Sequence, residues 1–171
     1  LRRPQRGVST NANPVGPFDS YVDMGLYDRC ITRGIPNSMM PAGYGSNYEI
    51  LQGQGWAAIR YEMIHETRVI PFDGPGHLGG GLKQYLGDAR ARWEGDTLVV
   101  ETVNFDDGTW INGDGSFHSD ALRVVERLTR KGDTLVWDVT AEDSKVFAKP
   151  FKPPVRTLVR ETEGTHAPQD Y

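Results

Sequence analysis

Three side chains have the types and the setting for proton-transfer chemistry: Tyr61, His65 and Glu126. The first two fall in Arg60-Tyr61-Glu62-Met63-Ile64-His65-Glu66. Side chains of an extended chain alternate between two faces, so Ile59, Tyr61, Met63 and His65 share one of them. If that apolar set points inward, a phenol and an imidazole line a partly dry interior, where burial and neighbours move their pKa values toward working pH and suit them to acid and base roles. A hydrogen-bonded structural histidine is the alternative. Glu126 alternates with Leu122, Val124 and Leu128, which puts a carboxylate on an otherwise apolar strand face. An uncompensated buried charge is too costly to persist, so a cation, a raised pKa or local solvent must accompany it. Arg90 and Arg127 are the candidate cations, although Arg127 belongs to the opposite face of the same strand. Structural pairing and acid/base or ligand contact both stay open for Glu126.

The segment from Asp106 to Asp120 gathers Asp106, Asp107, Asn112, Asp114, Ser116, His118 and Asp120 around glycines and Trp110. Clustered oxygens suit a hard cation such as calcium, but Arg123 stands where an EF-hand loop would end in glutamate, and no metal is assigned. Long loops at one end of a β-domain are also where ligands enter, which makes Trp110, His118 and Asp120 rim candidates. Trp93-Glu94-Gly95-Asp96 reads as a turn, with an aromatic platform for sugars as the rival. The histidines at 65, 77, 118 and 166 form no i, i+4 pair, so a zinc-hydrolase pattern is missing. Neither a nucleophile elbow, a Walker loop nor a dinucleotide fingerprint is found, and no cofactor is called for. Gly79-Gly80-Gly81 lacks the following helix that a phosphate cradle needs.

These residues need a scaffold, and 171 residues fit one domain able to bury roughly 70% of its unfolded surface. Four Trp, seven Tyr and six Phe offset a modest hydrophobic content of 37%. A net charge of -4 without long single-sign runs gives nucleic acid or anionic membrane little electrostatic purchase, leaving small molecules or other proteins as partners. No apolar run approaches the ~20 residues of a membrane-spanning helix. Cys30 is the only cysteine, so no intrachain disulfide forms. It reads as a small buried thiol, with a catalytic thiolate or an intermolecular bridge as alternatives. The chain starts at Leu1 and shows no signal peptide, as expected of a processed product.

Residues 1–25 are rich in arginine, proline and small polar residues and read as an extended arm; 26–171 read as the domain. Between Leu26 and Tyr48, glycine and proline recur too often for a long helix, and one helical turn fits near Met24 to Cys30. From Tyr48 onward, short β-branched and aromatic runs alternate with glycine and aspartate turns. Strands are expected at 48–52, 56–64, 67–72, 84–93, 97–105, 121–130, 134–142 and 155–161. Gly95-Asp96-Thr97-Leu98-Val99-Val100-Glu101 is echoed by Gly132-Asp133-Thr134-Leu135-Val136-Trp137-Asp138. Each copy opens on a glycine that accepts positive φ, so both read as tips of successive hairpins with bulged turns. Aligning the copies puts Leu98, Val100 and Thr102 on the same core face as Leu135, Trp137 and Val139, with Glu101 and Asp138 opposite. The fold expected is all-β, an antiparallel meander closing into a roughly eight-stranded calycin-like barrel, with a two-sheet β-sandwich as the alternative.

Several longer stretches carry a resemblance: residues 26–34 (Leu-Tyr-Asp-Arg-Cys-Ile-Thr-Arg-Gly), Tyr61-Glu62-Met63-Ile64-His65, residues 93–102 and Val124-Val125-Glu126-Arg127-Leu128-Thr129-Arg130. Over about residues 26–160 the chain resembles a large group of bacterial hypothetical proteins, abundant in acidobacterial and environmental sequences, whose members usually carry signal peptides. The resemblance implies a periplasmic or extracellular location and no particular chemistry. Many of those proteins end in a cysteine-containing tail, whereas this chain ends Gly164-Thr165-His166-Ala167-Pro168-Gln169-Asp170-Tyr171, so a pairing of that tail with Cys30 does not arise here.

The functional expectation is a domain that encloses a small, partly apolar molecule. Tyr61, His65 and Glu126 would form the reactive set, with Arg90, Trp110, His118, Asp120, Arg127 and Trp137 around the ligand. Binding alone and cofactor-independent acid/base turnover (isomerase, lyase or hydrolase type) are both open. The rival is an assembly module whose arm docks on a neighbouring copy by adding to a sheet edge.

Overall fold

Where the sequence alternates, the backbone pairs. The structure, a computed structural model, describes residues 9–10, 13–14, 19–21, 24–42, 45–72, 74–112 and 116–161. A minimal pairing of β1 (Ser9–Thr10) with β2 (Asn13–Pro14) comes first. Strands β3 (Tyr48–Gly53), β4 (Trp56–Tyr61) and β5 (Thr67–Pro71) then form a three-stranded sheet. A five-stranded sheet follows: β6 (Asp88–Glu94), β7 (Thr97–Val103), β8 (Arg123–Lys131), β9 (Thr134–Glu142) and β10 (Arg156–Val159). Both sheets are antiparallel, and neighbours in sequence are neighbours in space.

The echoed segments are the two hairpin tips. Glu94 faces Thr97 and Lys131 faces Thr134, so each loop has two residues, with Gly95 and Gly132 leading at φ 60 and 58. Glycine at positive φ in the first loop position twists with the strands, and no bulge is needed, contrary to the expected turn. The faces divide as the alternation requires. Leu98, Val100, Leu128, Trp137 and Val139 join the core. On the outer face Arg123 pairs with Glu101 at 2.6 Å and Glu142 at 3.1 Å, and Arg127 pairs with Glu94 at 2.6 Å.

The expected closed barrel is not found; two sheets with one shared core fit a sandwich. Among the described residues, pairing between the end of β5 and β6 amounts to the bridge of Phe72 to Ala91, and a glycine-rich connection separates the strands. At the other side, no pairing links β3 to β10 among the described residues. The edge strand β10 has only four residues.

One end of the sandwich is plugged by a segment without regular strands. Residues 32–40 are all buried, with Ile35 and Met39 fully so. The Thr32 hydroxyl donates to Glu66 at 2.8 Å, and the Arg156 guanidinium donates to the Met39 carbonyl. Prolines and glycines that forbid a long helix here let the chain fold across the end of the core. Before it, backbone bonds from Arg29 to Gly25 and Ile31 to Leu26 form turns over the expected helical stretch. Cys30 within them is exposed at φ 54, so the expected buried thiol is corrected: the turn directs it outward. Most of the proposed arm, and His166, lie outside the described residues. Among those described, no helix is long and apolar enough to cross a membrane.

Candidate functional site

Between the two sheets, on the side where β3 and β10 do not pair, lies a cleft of about 860 Å³. Its depth is built by alternate residues of facing strands: Ile59, Ile70, Leu98, Leu128, Leu135 and Leu158. Period two explains the set, since β3 side chains at Tyr48, Ile50 and Gln52 stand opposite Tyr61, Ile59 and Ala57, and all face the second sheet. Ile50 remains 47% exposed because no strand crosses the gap from β3 to β10. Phe72 and Trp93 meet edge-to-face at 6.2 Å on the opposite wall, where the sheets touch. The rim is polar, with Glu49, Asp96, Asp133 and Glu161 against Arg130 and Arg160.

Two residues further along the strands, the cleft floor gives way to a buried polar layer. Tyr61 follows Ile59, Arg68 precedes Ile70, Glu126 precedes Leu128, and Trp137 follows Leu135. The Arg68 Nη1 lies 2.6 Å from Glu126 Oε2, with side chains 2% and 0% exposed. Arg68 Nη2 donates to the Thr102 hydroxyl at 2.6 Å, and Trp137 Nε1 donates to Glu126 Oε1 at 3.0 Å. Burial works against the Arg68 charge, but Glu126 and the Tyr61 oxygen outweigh it and hold its pKa above the ordinary value. Burial also drives the Tyr61 phenol well upward, so it stays protonated. In this buried layer Glu126 is ion-paired with Arg68 and takes the indole hydrogen of Trp137, while the Tyr61 hydroxyl and Arg68 Nε have no hydrogen-bond partner among the described residues.

The structure thus brings together Tyr61, Glu126 and Trp137 from the expected set, and it separates the others. His65 is exposed. Strand β4 stops at Tyr61, and Ile64 and His65 adopt φ of 66 and 55 in a 3-10 turn, so the alternation that would have carried His65 inward is broken. Neither expected cation serves Glu126. Arg90 lies on the outer face, bonded to Asp88 Oδ1 at 2.5 Å and the Pro75 carbonyl at 3.0 Å, and Arg127 is bound outside to Glu94. The cation is Arg68, which the alternation of Arg68 and Ile70 against Thr67 and Val69 could have revealed.

Trp110, His118 and Asp120 do not rim the cleft. They belong to the connection after β7, whose start lines the cleft and whose end lies away from it. Trp110 is buried against Gly25, where a Cβ would come within 2.7 Å of the indole. The His118 ring is buried: Nδ1 lies 2.8 Å from the Ser119 carbonyl, so it carries a hydrogen, and Nε2 lies 2.7 Å from the Thr109 hydroxyl oxygen. Burial lowers its pKa. Asp120 is a surface partner of Lys145 at 2.6 Å. Beside it Asp143 takes the Ser119 amide at 2.5 Å and hydroxyl at 2.9 Å, tying the loop to the end of β9. Among the described residues no three His, Cys, Asp or Glu side chains converge to hold a metal, and Asp114 of the suggested calcium loop lies outside them.

Sequence reasoning passed over Ser46, Tyr48 and Ile50, all on the cleft wall. The signal for Tyr48 and Ile50 was the alternation along β3, which places every second residue toward the core; Ser46 lies ahead of the strand and had no such signal. Comparison with protein-family models, curated proteins and solved structures returns no match, so the functional reading rests on this geometry.

Proposed function

We propose that this chain binds a small, largely apolar molecule between its two sheets. The observation that carries the reading is the cleft of about 860 Å³, which has an aliphatic interior and a charged rim. Ligand sites of roughly 300–1,000 Å³ with that division of polarity suit molecules that bury most of their surface. The binding is non-covalent and needs no proton transfer, since Glu126 is committed to Arg68 and Trp137 and His65 faces solvent. The periplasmic or extracellular setting implied by the resemblance is part of this proposal, as a place where scavenging or carrying apolar compounds is useful.

The test is fluorescence titration with N-phenylnaphthylamine, a neutral apolar probe, reading energy transfer from tryptophan. Saturable binding of one equivalent, lost when Leu128→Glu places a charge in the interior, supports the reading. A linear, non-saturating response from a chain shown by circular dichroism to be folded would remove it.

A further inference from the structure

The cleft wall contains two hydroxyl groups that its own protein leaves unused. Ser46 Oγ and Tyr48 Oη are buried and have no hydrogen-bond partner among the described residues, and both residues line the cleft. Tyr48 heads β3 opposite the core-facing Tyr61, and Ser46 stands two residues before it, ahead of the strand. Tyr48 is held edge-to-face on Tyr61, with ring centroids 5.9 Å apart and planes at 88°. Withdrawing a hydroxyl from water without a partner costs about 1–3 kcal/mol, so buried hydroxyls without one mark a place where something else supplies the bond.

We infer that the occupant of this cleft is an uncharged molecule with an apolar body and a carbonyl-type oxygen, and that the oxygen accepts hydrogen bonds from Tyr48 and Ser46. The inference rests on the binding function proposed above and specifies its ligand class. A phenol is a better donor than acceptor, and one carbonyl oxygen has two lone pairs for two hydroxyl hydrogens. An anion is disfavoured because the rim carries Asp96, Asp133 and Glu161, with Glu49 paired to Arg60 at 2.9 Å, against two guanidinium groups. One of those, Arg130, already donates through Nε to the Gly132 carbonyl at 3.0 Å. A cation would need a carboxylate in the interior, and the nearest buried one, Glu126, is engaged with Arg68 below the floor. Charge therefore belongs at the rim and hydrocarbon in the interior, with one neutral polar point at the start of β3.

A matched pair of fluorescent probes tests this: propionyl-dimethylaminonaphthalene, a neutral ketone, and its propyl analogue, in which a methylene replaces the carbonyl. The anionic anilinonaphthalenesulfonate is the third probe. The ketone should bind about tenfold more tightly than the propyl analogue, and the sulfonate more weakly than either. The double variant Ser46→Ala/Tyr48→Phe, conservative in shape, should erase the ketone's advantage while leaving the propyl analogue's affinity unchanged. Equal affinities for ketone and propyl analogue in the natural chain would overturn the inference and leave the apolar cleft standing, as would a ketone preference that survives the double variant. Tightest binding of the sulfonate would overturn the uncharged class. Failure of every probe to bind would overturn the binding function and this inference together.

Discussion

Arg68 Nη1 and Glu126 Oε2 lie 2.6 Å apart in the middle of the core, joining the three-stranded sheet to the five-stranded one. Removing one member of a buried ion pair strands the other charge, a loss of about 3–5 kcal/mol, whereas replacing both by apolar residues of similar volume is often near neutral. Arg68→Met and Glu126→Leu alone should each destabilise the fold by that amount in urea denaturation, and the double variant should recover most of the loss. Additive single losses would show that the two side chains do not act as a pair.

Ile50 stands at the mouth of the cleft, 47% exposed, on the strand edge facing the gap. Ile50→Trp enlarges a side chain where solvent already reaches, so folding stability should stay within about 0.5 kcal/mol. Probe affinity should fall about tenfold or more as the indole occupies ligand space. An unchanged affinity would place the bound probe elsewhere.

His118 gives the fold a weakness in mild acid. Burial holds its pKa below the ordinary 6.5, and the charges of Asp143, Asp107 and Asp106 only partly offset that. Above 6.5 the imidazole is neutral folded and unfolded alike, so it contributes nothing to the pH dependence. As pH falls through 6.5 the unfolded chain takes up a proton that the folded chain resists, and stability falls until the folded group also protonates. Asp143 acts in a separate window. Burial raises its pKa, but bonds from Ser119 and Lys145 outweigh this, so its stabilising contribution is lost only as pH drops below the ordinary 3.8. Urea midpoints measured from pH 7 to about pH 5 should therefore decline, and His118→Gln should flatten the decline. A slope equally steep in the variant would assign it to other groups.

Gly87 and Gly95 both have positive φ, at 67 and 60, but only one is crowded. A Cβ at Gly87 would lie 2.6 Å from Thr102 Cγ2 and 2.8 Å from the Val103 carbonyl, whereas nothing approaches within 4 Å at Gly95. Gly95→Ala should cost about 1–2 kcal/mol, the left-handed backbone penalty alone. Gly87→Ala should cost at least about 1 kcal/mol more, because backbone has to move. Equal losses in thermal or chemical denaturation would contradict the difference.

The strands were legible because alternation and glycine turns are local properties. Tyr48 to Gln52 and Thr134 to Glu142 were placed within a residue of their observed ends. The inward face of β8 was legible for the same reason, and with it the need for a cation beside Glu126. His65 was misread because a period of two holds only while the chain stays extended, and β4 ends four residues earlier. Nothing in the residue types Met63-Ile64-His65 announces two consecutive left-handed conformations.

The sequence by itself determined that this chain is all-β, which residues of each strand share a face, and that one carboxylate lies inside. Tertiary structure alone decided that the sheets stay open between β3 and β10, that Arg68 meets Glu126, and that the loop bearing His118 sits away from the cleft. Pairing within a hairpin is set by neighbouring residues, but these relationships join positions far apart in the chain, β3 and β10 by more than a hundred residues. They depend on how two sheets twist, diverge and share one core, which no local pattern encodes.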